Sequence, residues 1–184
     1  MGARFNYVKA APGGYQAMAG LERYLHQCGL EEALLHLIKL RVSQINGCAY
    51  CLDMHWKDLR AIGEQEQRLY SLDAWRECSH YTERERAALA WAEAITFITD
   101  GHVPDSVYQE VRPQFSEKEL SDLTLAVATI NAWNRLAIAA RTVPGSYQPA
   151  VTARPASSAL SKDSVGDSAG RENLGRQCCP PGSA

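Results

Sequence analysis

The sequence predicts an all-α fold, and three observations carry that reading. Apolar residues recur at spacings of three and four through most of the first 141 positions. Two helix starts are written as capping boxes, T-E-R-E from Thr82 and S-E-K-E from Ser116, in which hydroxyl and glutamate satisfy orphan amide donors reciprocally. No stretch alternates at the strand period, and no nucleotide-binding glycine pattern competes.

Each element can be justified in order. Residues 15–28 place Met18, Leu21, Leu25 and Cys28 on one stripe and stop at Gly29. Residues 31–45 align Leu34, Leu37, Ile38, Val42 and Ile45, with Glu31 and Glu32 in the first turn, where the macrodipole favours negative charge. Asn46-Gly47 breaks that helix, and a third runs from near Cys48 to about Ile62, ending at Gly63. Residues 64–72 read as a short fourth helix. Residues 82–99 follow the first capping box, with Leu89, Ala92, Ile95 and Ile98 or Thr99 on the buried face. Residues 103–111 form another short helix between Pro104 and Pro113. Residues 116–141 are apolar nearly all round after Leu123, which predicts a central helix or an oligomer interface.

From Gly145 onward the composition turns to Ser, Gly, Pro and Ala, with Tyr147 as the sole aromatic. Such a segment buries too little apolar surface to offset its ordering entropy and is expected to be disordered. The chain therefore divides into a helical domain over 1–144 and a tail over 145–184. A formal charge of −2 argues against capture of nucleic acid or an anionic membrane. The first residues show no apolar signal region, and no uninterrupted apolar run reaches membrane-spanning length. A cytoplasmic, reducing setting is expected, where a C-x-x-C pair points to chemistry or metal rather than a structural staple.

The stretch INGCAYCLDMH, residues 45–55, concentrates the chemistry. Cys48 falls at or beside a helix N-cap, where free amide N–H groups and the positive dipole end favour a thiolate. Cys51 is one turn further on, and His55 four residues beyond it shares its face, so it can take the cysteine's proton. If 31–45 and 48–62 form an antiparallel hairpin, His36 lies level with about residue 59, about 6 Å of helix rise from His55. That places contact through one water within reach. Three readings stay open on the residues alone. They are a redox or peroxide-reducing thiol pair, a C-x-x-C-x-x-x-H metal site that would need Cys28 or Cys78 as fourth ligand, and buried structural cysteines. The spacing favours thiol chemistry. Tyr50 and Trp56 flank the cluster as candidate pocket residues, Trp91 and Trp133 read as core or interface fillers, and Arg41 and Arg135 as ion-pair or interface groups.

Three blocks in order, LIKLRVSQINGCAYCLDMH (37–55), ERERAALAWAEAIT (83–96) and FSEKELSDLTLAVATINAWNR (115–135), resemble the alkylhydroperoxidase D-like branch of the carboxymuconolactone decarboxylase superfamily. The resemblance implies an all-helical, oligomer-forming fold, usually a trimer or hexamer. It also implies thiol-dependent reduction of a peroxide substrate, with electrons from a dithiol or thioredoxin-like donor and no cofactor or metal. The family pattern is a glutamate twelve residues before the first cysteine, then C-x-x-C, then a histidine four residues on; Cys48, Cys51 and His55 match, and His36 stands at the glutamate position. By the family mechanism Cys51 attacks peroxide with help from His55, Cys48 resolves the product, and His36 relays protons. The helix-end argument instead makes Cys48 the more acidic sulfur. Lactone decarboxylation and a non-enzymatic redox sensor are the alternative functions. The first fits less well, because that branch of the superfamily generally lacks the cysteine pair.

Overall fold

The computed structural model describes residues 2–149, and all regular structure among them is helical. Two N-terminal helices, α1 (Tyr7–Ala10) and α2 (Pro12–Leu25), are followed by the hairpin of α3 (Glu32–Asn46) and α4 (Ala49–Ala61). Then come α5 (Glu66–Tyr70), a 3-10 helix (Leu72–Glu77), α6 (Glu83–Thr96), α7 (Asp105–Val111) and α8 (Glu117–Ala140). Thr82 and Ser116 form the two capping boxes expected of them, each accepting from the amide of the glutamate three residues on.

Helix α3 is the axis of the bundle and packs against α4, α6 and α8. Its sequence shows one stripe, but burial extends from Leu34 through Leu40 and on to Val42 and Ser43. Two apolar clusters explain this. Leu34, Leu35, Ile38 and Val42 join a cluster with Trp91, Leu123, Val127 and Ile130. Leu37 and Leu40 turn to a second, with Leu59, Leu69, Leu72, Trp75 and Leu89. A helix flanked on both sides must be apolar on both sides, and its polar residues His36, Lys39 and Ser43 are buried as a consequence.

Helix α8 spans the other face. Its most apolar window has a mean hydropathy of 1.2, so by length and composition it could cross a membrane, yet 44% of that window is buried within the fold. Ala128, Ile138 and Ala139 are exposed on it.

Several boundaries differ from the sequence expectation, each for a local reason. Helix α6 stops at Thr96, so Ile98, expected on the buried face, is about half exposed, as is its neighbour Phe97. Helix α7 begins at Asp105 instead of residue 103, because Gly101, His102 and Val103 all have positive φ and cannot propagate a right-handed helix. The 3-10 segment at Leu72–Glu77 has no sequence signal, because it buries Leu72 and Trp75 in too few residues to show a period. Residues 145–149 of the segment assigned to a disordered tail are described, and they lie along α4. The Gly145 amide donates to Asp53, and the Tyr147 hydroxyl donates to Asp58 at 2.6 Å. The remainder of that segment, 150–184, lies outside the described residues.

Candidate active site

The α3–α4 turn builds the site. Gly47 closes α3 with φ +67°, a left-handed conformation that glycine adopts without strain, and the Gly47 and Cys48 amides return to Gln44 and Ser43 carbonyls. Cys48 is then the N-cap of α4, with extended backbone, and Cys51 sits in the first turn. Asn46 donates to Asn131 at 3.0 Å and Asn134 at 2.8 Å, and Asn134 donates in turn to Ser43 at 3.1 Å. This amide network pins the turn to α8.

Cys48 and Cys51 are both free thiols, 0% and 2% exposed, with their sulfurs 2.7 Å apart in hydrogen-bond contact. Cys48 is drawn down to about 7, chiefly by the hydrogen bond with Cys51, against its burial and with help from the Cys51 and Tyr50 amides and the Asn134 side chain. Cys51 is pushed up by the same hydrogen bond, by burial and by the Cys48 charge. The pair therefore gives up its first proton near neutrality, and the thiolate rests on the N-cap sulfur, where the helix end favours negative charge. Access divides the other way. Cys51 lines a cavity of about 390 Å³, and Cys48 is not among the residues that do.

His55, one turn beyond Cys51, also lines this cavity, as do His36 and Asp58. The two histidines meet directly, with His36 Nδ1 3.3 Å from His55 Nδ1. The water-bridged contact expected from the hairpin register is thus replaced by a direct one. Burial first, then the charge of Lys39, lowers both imidazoles: His36 to about 4, with His26 adding to the effect, and His55 well below its ordinary value, with His36 adding to it. Both are neutral at neutral pH. The Glu32 carboxylate, 3.8 Å from His36 Nε2, favours a proton on that nitrogen. His36 Nδ1 then accepts from His55 Nδ1–H, and His55 Nε2 keeps its lone pair. That nitrogen is buried and has no hydrogen-bond partner among the described residues. In that tautomer the buried Nε2 carries a free lone pair and can serve as a base.

Four further residues shape the site without a readable sequence signal. Asp58 Oδ2 lies 3.7 Å from His36 Nδ1 and 3.8 Å from His55 Nδ1. Lys39 is 2% exposed and paired with Glu22 at 2.5 Å, so its charge reaches the histidines from inside the fold. Asn134 is fully buried between α3 and α8 and lowers both thiols by hydrogen bonding. Tyr147 closes one wall of the cavity through Asp58.

Among the flanking aromatics, Tyr50 lines the cavity, whereas Trp56 packs against the second apolar cluster. Trp91 is a core residue whose indole donates to Thr124, and Trp133 combines packing with a place on the cavity wall. Arg41 forms ion pairs with Asp73 and Glu93, while the exposed Arg135, among the described residues, bonds only within its own helix, to Asn131.

Comparison with known proteins places this arrangement among relatives. The family model described as the carboxymuconolactone decarboxylase family matches residues 12–94. The uncharacterized protein YdfG of Bacillus subtilis (strain 168) is 46% identical over 139 residues, covering 76% of this chain and 95% of YdfG. A crystal structure from Agrobacterium tumefaciens, of a protein of unknown function described as a candidate antioxidant defence protein AhpD, aligns with a TM-score of 0.77 and 43% identity. It covers 79% of this chain and 100% of its own. The debrominase Bmp8 shares the fold at a TM-score of 0.63 and 20% identity, covering 76% of this chain and 75% of Bmp8.

Proposed function

Because the chain belongs to the carboxymuconolactone decarboxylase family, as an alkylhydroperoxidase D-like member, we propose that it reduces organic hydroperoxides with the Cys48–Cys51 pair. The observation that carries this reading is the division between the sulfurs: Cys51 faces the cavity beside His55, and Cys48 lies behind it in contact at 2.7 Å.

The conflict between the two sulfurs resolves if acidity and attack belong to different residues. Cys48 holds the resting thiolate at the helix end, and Cys51 is the sulfur a substrate can reach. Cys51 becomes nucleophilic when its proton passes to Cys48 or to the unpaired His55 Nε2. The Cys51 thiolate then attacks the terminal peroxide oxygen, and the O–O bond breaks with its electron pair leaving on the alkoxide. Cys51 is now a sulfenic acid, and the alkoxide takes up a proton, released by way of His55, to leave as an alcohol. Cys48, as thiolate or thiol, displaces the sulfenic oxygen, which leaves as water once protonated, and the Cys48–Cys51 disulfide forms. Two thiols and one hydroperoxide give one disulfide, one alcohol and one water. An external dithiol or thioredoxin-like donor returns two electrons and two protons, which suits a reducing compartment such as the cytoplasm.

His36 takes the part assigned in this family to a glutamate. A neutral histidine buried against His55 can receive a proton at one nitrogen and release it at the other toward Glu32. The test is hydroperoxide turnover coupled to a panel of dithiol donors. Wild-type protein is expected to turn over, and Cys51→Ser to lose activity to background. Retained turnover in Cys51→Ser would overturn the assignment, and a disulfide that forms once without turnover under every donor would favour a redox sensor.

A further inference from the structure

We propose that His36, His55 and Asp58 form a binding site for a divalent first-row transition metal ion, separate from the cysteine pair. The three residues come from the facing helices of the α3–α4 hairpin, and all three line the cavity. Their nearest donor atoms form a nearly equilateral triangle, with sides of 3.3 Å between the two Nδ1 atoms and 3.7 and 3.8 Å to Asp58 Oδ2. A point equidistant from those corners lies about 2.1 Å from each, which is the bond length of zinc to imidazole nitrogen and carboxylate oxygen. Two nitrogens and one oxygen suit zinc or its first-row neighbours rather than magnesium or calcium, which prefer all-oxygen shells.

The surrounding groups support the same reading. Glu32 stands 3.8 Å from His36 Nε2, on the ring edge away from the triangle, where a carboxylate orients a ligating imidazole. The Tyr147 hydroxyl donates to Asp58 Oδ1 at 2.6 Å, fixing the carboxylate and leaving Oδ2 toward the histidines. The two carboxylates offset the charge of a divalent ion, and the nearby Lys39 ammonium is already matched by Glu22. Binding requires both histidines to present Nδ1 as a lone pair. For His55 this is the other tautomer, with its proton on Nε2, so metal binding and the part of His55 as a base exclude one another. Three protein ligands leave the remaining coordination positions open to the cavity.

The site uses neither cysteine, unlike the C-x-x-C-x-x-x-H arrangement, which wants a fourth ligand.

Cobalt(II) titration of the full chain tests this, followed by optical spectroscopy and zinc competition. One equivalent is expected to bind the Cys48→Ser/Cys51→Ser double variant, with visible ligand-field bands and without the intense near-ultraviolet charge transfer of thiolate ligation. Asp58→Asn and His36→Gln should each weaken binding at least about 100-fold, more than the effect of outer partners. Glu32→Gln and Tyr147→Phe, milder changes that spare the ligands, should each weaken it about tenfold. Circular dichroism and thermal melts establish that each variant is folded. Binding that disappears in the double cysteine variant, or that is unchanged in Glu32→Gln, Asp58→Asn and His36→Gln alike, would overturn the proposal, as would no binding at all. The readout is metal affinity, so it stands or fails apart from peroxide turnover.

Discussion

His36 Nδ1 lies 3.3 Å from His55 Nδ1, across the hairpin of α3 and α4. This contact joins the residue that departs from the family pattern to the one that follows it, and both are held neutral by burial. It sets the first prediction. If the contact is a proton path, His36→Ala should lower hydroperoxide turnover by about 100-fold, the lower range of general acid–base effects. His36→Glu, which supplies a carboxylate relay, should recover activity to within about tenfold of wild type. Steady-state kinetics in the coupled assay measures both, and equal activity in wild type and His36→Ala would remove His36 from the mechanism.

Cys48 should titrate well below an ordinary thiol. Its thiolate fraction rises as pH rises through about 7, against about 8.5 for a free cysteine. The ultraviolet thiolate absorbance of reduced protein should therefore show a midpoint near 7 that is lost in Cys48→Ser. In Cys51→Ala the largest cause of the shift is gone, so the midpoint should move upward. A wild-type midpoint near 8.5 would contradict the acidifying contact with Cys51 and the help of the helix-end amides.

Asn134 should matter to both stability and acidity. It is fully buried and donates to Ser43 while accepting from Asn46. Asn134→Leu removes two buried hydrogen bonds, although Asn46 keeps Asn131 and the Ser43 hydroxyl keeps the Lys39 carbonyl, and should cost about 1–3 kcal/mol in denaturant unfolding. It should also raise the Cys48 midpoint, since the Asn134 amide lowers both thiols. An unchanged Cys48 midpoint in a folded Asn134→Leu would confine the residue to a structural part.

Self-association is the expected outcome of the apolar surface that the fold leaves uncovered. Phe97 and Ile98 are 49% and 51% exposed, and Ile138 on α8 is 46% exposed. Such residues favour burial against further copies of the chain. Light scattering at micromolar concentration should give a trimer or hexamer mass, and a monomer throughout would refute the expectation.

The legible part of the site is the part written within one helix. Cys48, Cys51 and His55 fall at spacings that fix their common placement on α4, and Asn46-Gly47 announces the turn before them. The direct contact of His36 with His55 is not legible from register, because side-chain reach covers the roughly 6 Å of helix rise that register alone leaves between them. Lys39 carries no sequence mark for a different reason. A lysine in an apolar run reads as a solvated position, and only the distant Glu22 makes its burial tolerable. Asn134 comes from α8, in a block whose resemblance was visible but whose partners were not. Tyr147 falls where composition indicates disorder, and its hydrogen bond to Asp58 has no local sequence mark. The helices themselves were legible wherever caps or long periods exist, and illegible at α1 and the 3-10 segment, which are too short to carry either.

Intact-mass and peptide mapping after one equivalent of organic hydroperoxide tests the central assignment most directly. Fully reduced wild type should form the Cys48–Cys51 disulfide, Cys48→Ser should gain a single oxygen on Cys51, and Cys51→Ser should remain unoxidised at Cys48. Oxygen appearing on Cys48 in the Cys51→Ser protein, with Cys51 untouched in Cys48→Ser, would reverse the roles of the two sulfurs and contradict the mechanism.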